Sequence, residues 1–400
     1  MKRRYSLHLY LAGAVAARAG DEMSGPALML AGFALAGSAT DASSLLAGVT
    51  ISAAVGGPVF GVLLDRTGRP GRLLAGALFL YAAGLGLVLA GLGRLPFAVS
   101  ILIAVCTGML GPALSGGWTA QLPRVVPGDR LPRANALDAM TFGAASLAGP
   151  ALAGAVAEAL GAPTSVVVSA ALICLALPAA WTLPDRPGRG RGPRPGSVFS
   201  DLAAGIRVIV RRPPLARATL TSTVSCAAQG MLTACVALLG ERVLGGAGRG
   251  AMLLACTAIS ALVATAVLAR FPRSVVPDTI IWAGALVQAA ALALAASGRP
   301  AVLVVAALLA GVGEGPQLAA VFAVRHREAP EHLRGQIFTT GASAKITGFA
   351  LGASVGGPLA TWSVPGTLAL ASGVAALAAL ARFAVPSTNV DSSGNRSPAT

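Results

Sequence analysis

"GVLLDRTGRPGR", residues 61–72, joins two long apolar runs through one acid and three arginines. Gly61 permits close helix approach. Asp65 can face the positive N-terminal end of another helix, and Arg66, Arg69 and Arg72 belong in a headgroup region rather than in hydrocarbon. The stretch has the chemistry of a turn between two membrane-crossing helices on the basic side of a bilayer.

Working outward, the chain has the balance of a membrane protein. Of 400 residues, 55% are hydrophobic and 11% charged, with a mean hydropathy of +0.75; a soluble domain carries about 25% charged residues. A span needs roughly 20 mostly apolar residues. Apolar runs between basic or Gly/Pro punctuation give twelve candidate helices, at about 8–36, 43–64, 73–93, 97–122, 134–160, 164–183, 215–243, 247–270, 277–297, 300–324, 335–360 and 364–384. The even number puts both termini on one side. With the N-terminus cytoplasmic, 24 Lys and Arg fall on the inner side and 4 on the outer, while Arg18 and Lys345 lie within spans. That bias is the positive-inside pattern of a multi-pass protein of the cytoplasmic membrane.

The net charge of +15 therefore belongs to inner loops facing a lipid bilayer. No aromatic interleaving or nucleic-acid motif accompanies it, so no nucleic-acid partner is expected. Cys106, Cys174, Cys226, Cys235 and Cys256 sit in apolar runs at spacings of no metal or redox motif, as small packing residues do. The basic start "MKRR" followed by an apolar run resembles a signal peptide, but the run continues to about residue 36 without a convincing cleavage site and is read as a retained first span. His8, His326 and His332 fall at interfaces or loops. No Walker motif, metal triad or hydrolase arrangement is present, so neither an ATP-driven pump nor an enzyme is indicated, and no cofactor or metal is expected.

Residues 184–214 interrupt the spans. The first part, rich in Pro, Gly and Arg, cannot pack a core, and the second, about 197–210, fits a short amphipathic helix on the anionic inner leaflet. The linker separates a six-helix half, 1–183, from another, 215–385, with a polar, disordered tail expected over 386–400. The halves look like diverged copies: "LPRVVPGDRLPRANAL" corresponds to "AVRHREAPEHLRGQIF" at an offset of 201, and "GVLLDR" loosely to "AVLARF" at 205. Two related halves around a midplane site is a secondary-transporter plan.

Gly61, Asp65, Arg66, Gly68, Arg69 and Arg72 closely resemble the loop signature of the major facilitator superfamily, and the fold resemblance covers about residues 8–384. A positive turn alone explains the arginines, whereas Asp-Arg with both glycines at these spacings is more specific. The resemblance implies an all-α integral membrane fold of twelve helices in two pseudo-symmetric halves, a functional monomer, and a conformational latch at this loop, with Asp65 facing span 11. In span 5, "ANALDAMTFGAASLAGPALAG" resembles the signature of the proton-coupled drug antiporters of that superfamily. Gly149, Pro150 and Gly154 match; Ala136, Ala145 and Ala153 stand where the pattern has glycine. An ordinary small-residue packing face is the other reading. The second half has Ala350 and Leu351 where the first has Gly149 and Pro150, and its own Gly357-Pro358 lies farther along.

Charges inside spans are costly, about 2.5 to 3.5 kcal/mol each, and should face a cavity and pair. In "AARAGDEMSGPALML", residues 16–30, Arg18 lies three residues from Asp21 and four from Glu22, so helical spacing lets it reach either acid and leave the other to exchange a proton. The Gly-Asp of span 1 resembles the drug-exporter and secretion-effector branch, and Asp21 ranks above Glu22 as proton carrier. In span 10, Glu314 is a second proton or substrate carboxylate, or a polar anchor satisfied by a neighbouring helix. Lys345 in span 11 either pairs with Glu314 or Asp21 or reaches toward the inner interface. Gln229, Gln288, Gln317 and Trp118 are candidates to touch substrate, Trp118 being equally an interfacial anchor. Many drug antiporters of the superfamily carry a basic residue in span 4; this chain has none there, and Arg18 is a possible replacement. The expectation is a multidrug-type exporter of a small molecule driven by protons, with proton-coupled nutrient import and a non-transporting sensor or scaffold as alternatives.

Overall fold

The computed structural model describes residues 6–36, 39–185, 197–271 and 274–384, and no strand occurs among them. The expected disordered tail and the Arg-rich part of the linker, 186–196, lie outside the described residues. The first half comprises α1 (Leu7–Ala36), α2 (Ala39–Arg66), α3 (Pro70–Gly91), α4 (Phe97–Gly108), α5 (Leu131–Leu160), α6 (Ala162–Leu175) and α7 (Leu177–Trp181). The linker forms α8 (Val198–Arg211), and the second half follows as α9 (Pro213–Leu244), α10 (Ala247–Arg270), α11 (Pro277–Ala295), α12 (Pro300–Glu328), α13 (Arg334–Trp362) and α14 (Val364–Ala384). Prolines open α3, α9, α11 and α12, where the missing N–H costs no hydrogen bond. Gly161 and Gly245, both at positive φ, end α5 and α9.

Ten helical segments among the described residues are long and apolar enough to cross a membrane. The other two long helices, α1 and α13, span 30 and 29 residues but are more polar. One carries Arg18, Asp21 and Glu22, the other Lys345 with several serines and threonines. On apolarity alone the expected twelve spans thus become ten. Both polar helices are shielded by neighbours: α1 packs on α5, α6 and α2, and α13 on α9 and α2.

The fourth expected span, 97–122, is not one continuous α-helix. α4 ends at Gly108, and a widened π turn, Ala113–Gly117, carries the chain on to Trp118. Pro112 supplies no backbone donor, and Gly108, Gly111, Gly116 and Gly117 weaken the helix around it. The sixth is split between α6 and α7, where Pro178 follows the break at Ala176.

Each half has its own apolar core. Tyr10, Met23, Leu74, Tyr81 and Trp118 belong to the first, and Met231, Leu239, Leu292, Leu303 and Leu368 to the second. Lipid offers helices no hydrophobic drive to associate, so close backbone approach through small residues has to hold them. A side chain at Gly108 would overlap the Val49 carbonyl of α2, and one at Gly352 the Ala227 carbonyl of α9. The halves meet along α2 with α13 and along α5 with α10 and α12, whereas the extensive contacts of α1 all lie within its own half.

Overpacking such a contact costs about 1 to 3 kcal/mol. Gly108→Val is therefore expected to lower the unfolding midpoint of the detergent-solubilised protein. Gly76→Ala, at a position with nothing within 4 Å of an added Cβ, should leave it unchanged.

Candidate functional site

The loop signature closes one end of the molecule. Asp65, at the end of α2, accepts hydrogen bonds from the backbone N–H groups of Gly335 (3.0 Å) and Gln336 (2.8 Å), the first turn of α13. A buried carboxylate on two free amides at the positive end of a helix is a strong, directional tie. It is the contact expected of Asp65 with span 11. Gly61 makes it possible, since a side chain there would overlap Gln336 and Thr339. Arg66 pairs with Asp201 of α8 at 2.8 Å, Arg72 lies over the Trp181 ring at 5.3 Å, and Arg69, exposed, precedes α3 across the turn containing Gly68. Beside this tie, Gly116 abuts the Phe338 backbone, and Phe142, Phe322 and Phe338 stack across the halves at centroid distances of 5.6 and 6.1 Å.

Arg18 does not pair with Asp21 or Glu22. Its guanidinium is buried against α5, where it bonds the Asp138 carboxylate at 3.0 Å, the Asp138 carbonyl at 3.0 Å and the Thr141 hydroxyl. It also donates to the Thr119 hydroxyl at 2.9 Å and covers the Phe142 ring at 3.7 Å. Thr119 in turn donates to Asp138 at 2.8 Å. The physical reason is directional: helical side chains lean toward the N-terminus, away from acids one turn later, and the long stem reaches the next helix instead. Asp138, wholly buried, was the missed partner. Its signal was present, because it is a carboxylate within span 5 and the rule that singles out Asp21 singles it out too.

With Arg18 occupied, Asp21 is held by a neutral group, accepting a 2.8 Å hydrogen bond from the Tyr81 hydroxyl, which also contacts Ser24 at 3.1 Å. Glu22 is exposed. Glu314 of α12 and Lys345 of α13, both half-buried, lie within electrostatic reach of it and of each other. No ion pair closes among Asp21, Glu22, Glu314 and Lys345. Glu22, Glu314 and Lys345 thus form one electrostatic cluster contributed by three helices of the two halves, with Asp21 beside Glu22 on α1.

Other expected positions divide. Gly149 is a true close approach, with a side chain there meeting Glu22 Cβ at 2.6 Å, so it seats α5 against the acid-bearing turn of α1. Ala136, Ala145 and Ala153, in place of glycines, are buried on the same helix. Pro150 lies inside α5 and is exposed, and Gly154 has nothing within 4 Å, so the signature's last glycine packs against nothing. Trp118 neither lines the space nor anchors an interface: it is fully buried against Tyr10 and Gly13. Gln229 donates to Gln288 at 3.2 Å, Gln288 to Gln317 at 3.0 Å and Gln317 to the Ile281 carbonyl at 2.9 Å. In this ladder only Gln229 is partly exposed; Gln288 and Gln317 are structural cross-ties. His326 is not solvated in a loop but buried in α12, stacked on Phe338 at 4.4 Å. Its neighbour Arg325, one residue past the expected end of span 10, is likewise buried, against Gly341. Both burials arise because α12 continues four residues beyond the expected end of span 10.

The profile of the Major Facilitator Superfamily matches residues 10–292. The chain belongs to the major facilitator superfamily. An uncharacterized MFS-type transporter, y4rN, of Sinorhizobium fredii (strain NBRC 101917 / NGR234) is 29% identical over 354 residues, covering 86% of this chain and 87% of that protein. Among solved structures, the human organic anion transporter MFSD10 superposes with a TM-score of 0.78 at 15% identity, covering 95% of this chain and 99% of that one. A bacterial homologue of the iron transporter ferroportin, in an outward-facing state, gives 0.77 at 17% identity, covering 94% and 98%. The E. coli fucose:proton symporter gives 0.72 at 15%, covering 96% and 100%. At these identities the solved structures establish the fold. As a member of this superfamily the chain is a multi-pass membrane carrier that performs secondary transport, and not an enzyme.

Removing one partner of a buried ion pair costs about 3 to 5 kcal/mol, whereas replacing both with apolar residues is often tolerated. Asp138→Asn and Arg18→Gln are therefore each expected to destabilise the protein by that order. The double variant Arg18→Met with Asp138→Leu should recover much of the loss in denaturant or thermal unfolding.

Proposed function

We propose that this superfamily member is a proton-coupled exporter of a small molecule, a drug or metabolite, working by alternating access in the cytoplasmic membrane. In this reading both termini are cytoplasmic, the unit is a monomer, and the proton gradient is the energy source, with no cofactor. The observation that carries it is the division among the intramembrane charges. Arg18 is consumed by Asp138, so Asp21, Glu22 and Glu314 stand without an ion-pair partner among the described residues and are available to titrate, with Lys345 in electrostatic reach of Glu22 and Glu314. Acids so placed mark proton or substrate pathways.

In this reading the positive-inside rule makes the latch side cytoplasmic. Protons entering from outside neutralise the α1 acids and Glu314. Loading of substrate after the latch parts displaces them, and the two halves rock about the site. Arg18, reaching Thr119 at the end of the fourth span and Asp138 on the fifth, is spent on that buried pair and takes no part in proton transfer in this reading. Gln229, the open end of the glutamine ladder, and Lys345 contribute polar contacts to substrate.

A second reading, proton-coupled import of a nutrient, is favoured by the empty surroundings of Gly154, which leave the exporter signature with one glycine at a close approach. Direction decides between them. In energised everted vesicles carrying the wild-type protein, a lipophilic cation or antibiotic that is a substrate should dissipate the internal acid gradient. Asp21→Asn should abolish that response while the protein remains folded in the membrane, and Glu314→Gln should reduce it severely. Accumulation of a nutrient by whole cells, with no gradient response to any exported compound, would establish import instead.

A further inference from the structure

The linker helix α8 has three distinct faces. One is buried at the latch. Asp201 pairs with Arg66 of α2 at 2.8 Å, the Leu202 carbonyl accepts from Gln336 Nε2 of α13 at 2.8 Å, and Gly205 gives the Gln336 side chain its room. Ile209 joins an apolar cluster with Leu215, Ala329, Leu333 and Ile337. The helix is therefore bonded to both sides of the Asp65 closure at once. A second face is an exposed apolar row, Phe199, Ala203, Ile206 and Val210, at the i, i+4, i+7, i+11 positions of one helical stripe. Phe199 is 80% and Val210 66% exposed, and none of the described residues covers them. The third face, beside that row, carries the exposed Arg207 and Arg211.

The height of the helix identifies what meets the second and third faces. α8 runs into the span α9 at Pro213 and abuts the end of α2 and the start of α13, so it lies level with the ends of the spans. An apolar row flanked by arginines at that level complements a lipid leaflet with anionic headgroups. We propose that α8 is a lipid-reading arm of the latch. Its apolar row enters the leaflet on the basic-loop side, Arg207 and Arg211 bind anionic headgroups, and the bonds on its opposite face pass that binding energy to the Asp65 closure. Anionic lipid then favours the conformation closed on this side. The inference rests on the reading of the Asp65 contact as a latch that opens during transport.

The test is hydrogen exchange of the Gly335 and Gln336 amides in the full-length protein, held in nanodiscs of phosphatidylcholine alone or with about one-third phosphatidylglycerol. Each arginine near an anionic surface contributes about a fivefold preference, so phosphatidylglycerol is expected to slow exchange about tenfold or more in the wild type. The Arg207→Gln, Arg211→Gln double variant should lose that dependence, and Phe199→Ser with Ile206→Ser should exchange faster in both lipids. Equal exchange in the two lipids, retained dependence in the double arginine variant, or the same slowing by soluble phosphate in phosphatidylcholine nanodiscs would each overturn the proposal. Asp65→Asn separates it from the reading beneath it. Faster exchange there with no lipid effect in the wild type removes the lipid-reading role alone, whereas unchanged exchange removes the latch as well. None of these readouts requires a transported substrate.

Discussion

A single carboxylate on two backbone amides organises this molecule. Asp65 reaches from the end of α2 to the first turn of α13, so one residue of the first half is held by the helix terminus of the second. The strength comes from the amides that every helix leaves unbonded at its start and from the partial positive charge gathered there. The contact also demands backbone proximity, which explains why glycine stands at 61, where any side chain would push Gln336 away. The aromatic stack of Phe142, Phe322 and Phe338, the burial of Arg325 and His326 and the docking of α8 all lie on the side this contact closes. The tie is polar and end-on, and its residues belong to neither apolar core.

Inside the membrane the charges serve two different purposes. The Arg18–Asp138 pair, with Thr119 and Thr141 completing its hydrogen bonds, is closed and joins α1, the end of the fourth span and α5 into one body. Such a pair contributes little net stability by being present, but removing one partner of it is costly. On the next turn of α1 the logic reverses. Asp21 has a neutral phenol as its partner, and Glu22 is exposed, with no hydrogen-bond partner among the described residues. One turn of helix thus separates a charge spent on an ion pair from charges left outside any. Gly149 fixes that boundary, because its bare backbone lets α5 press against Glu22 itself.

The two halves share a plan and diverge in detail. Each has a separate apolar core, and each packs helices through small residues, as lipid-embedded helices must. The first half carries the buried ion pair, whereas the second carries the glutamine ladder from Gln229 through Gln288 to Gln317. Both devices lock helices by polar bonds that hydrocarbon cannot compete for, but only the ladder does so without formal charge.

What the sequence determined by itself was set by local chemistry: the apolar runs, the basic bias of one side, the partition into halves and the amphipathic helix after residue 197; the Asp65 contact with span 11 came from the resemblance of its loop to the superfamily signature. Those follow from transfer energies and from a motif whose residues lie within a dozen positions of one another. The failures share a different cause. Arg18 was close in sequence to Asp21 and Glu22, yet its partner is 120 residues away on α5, because side-chain direction and the approach of the neighbouring helix outweigh spacing along the chain. Trp118 and His326 read as interfacial or solvated, but a π turn at 113–117 and a longer α12 carry them inside. Only the tertiary structure could decide which charges are spent on one another and which remain open, since that depends on which helices touch, and the small residues that let them touch look alike in sequence whether they pack, as Gly149 does, or face nothing, as Gly154 does.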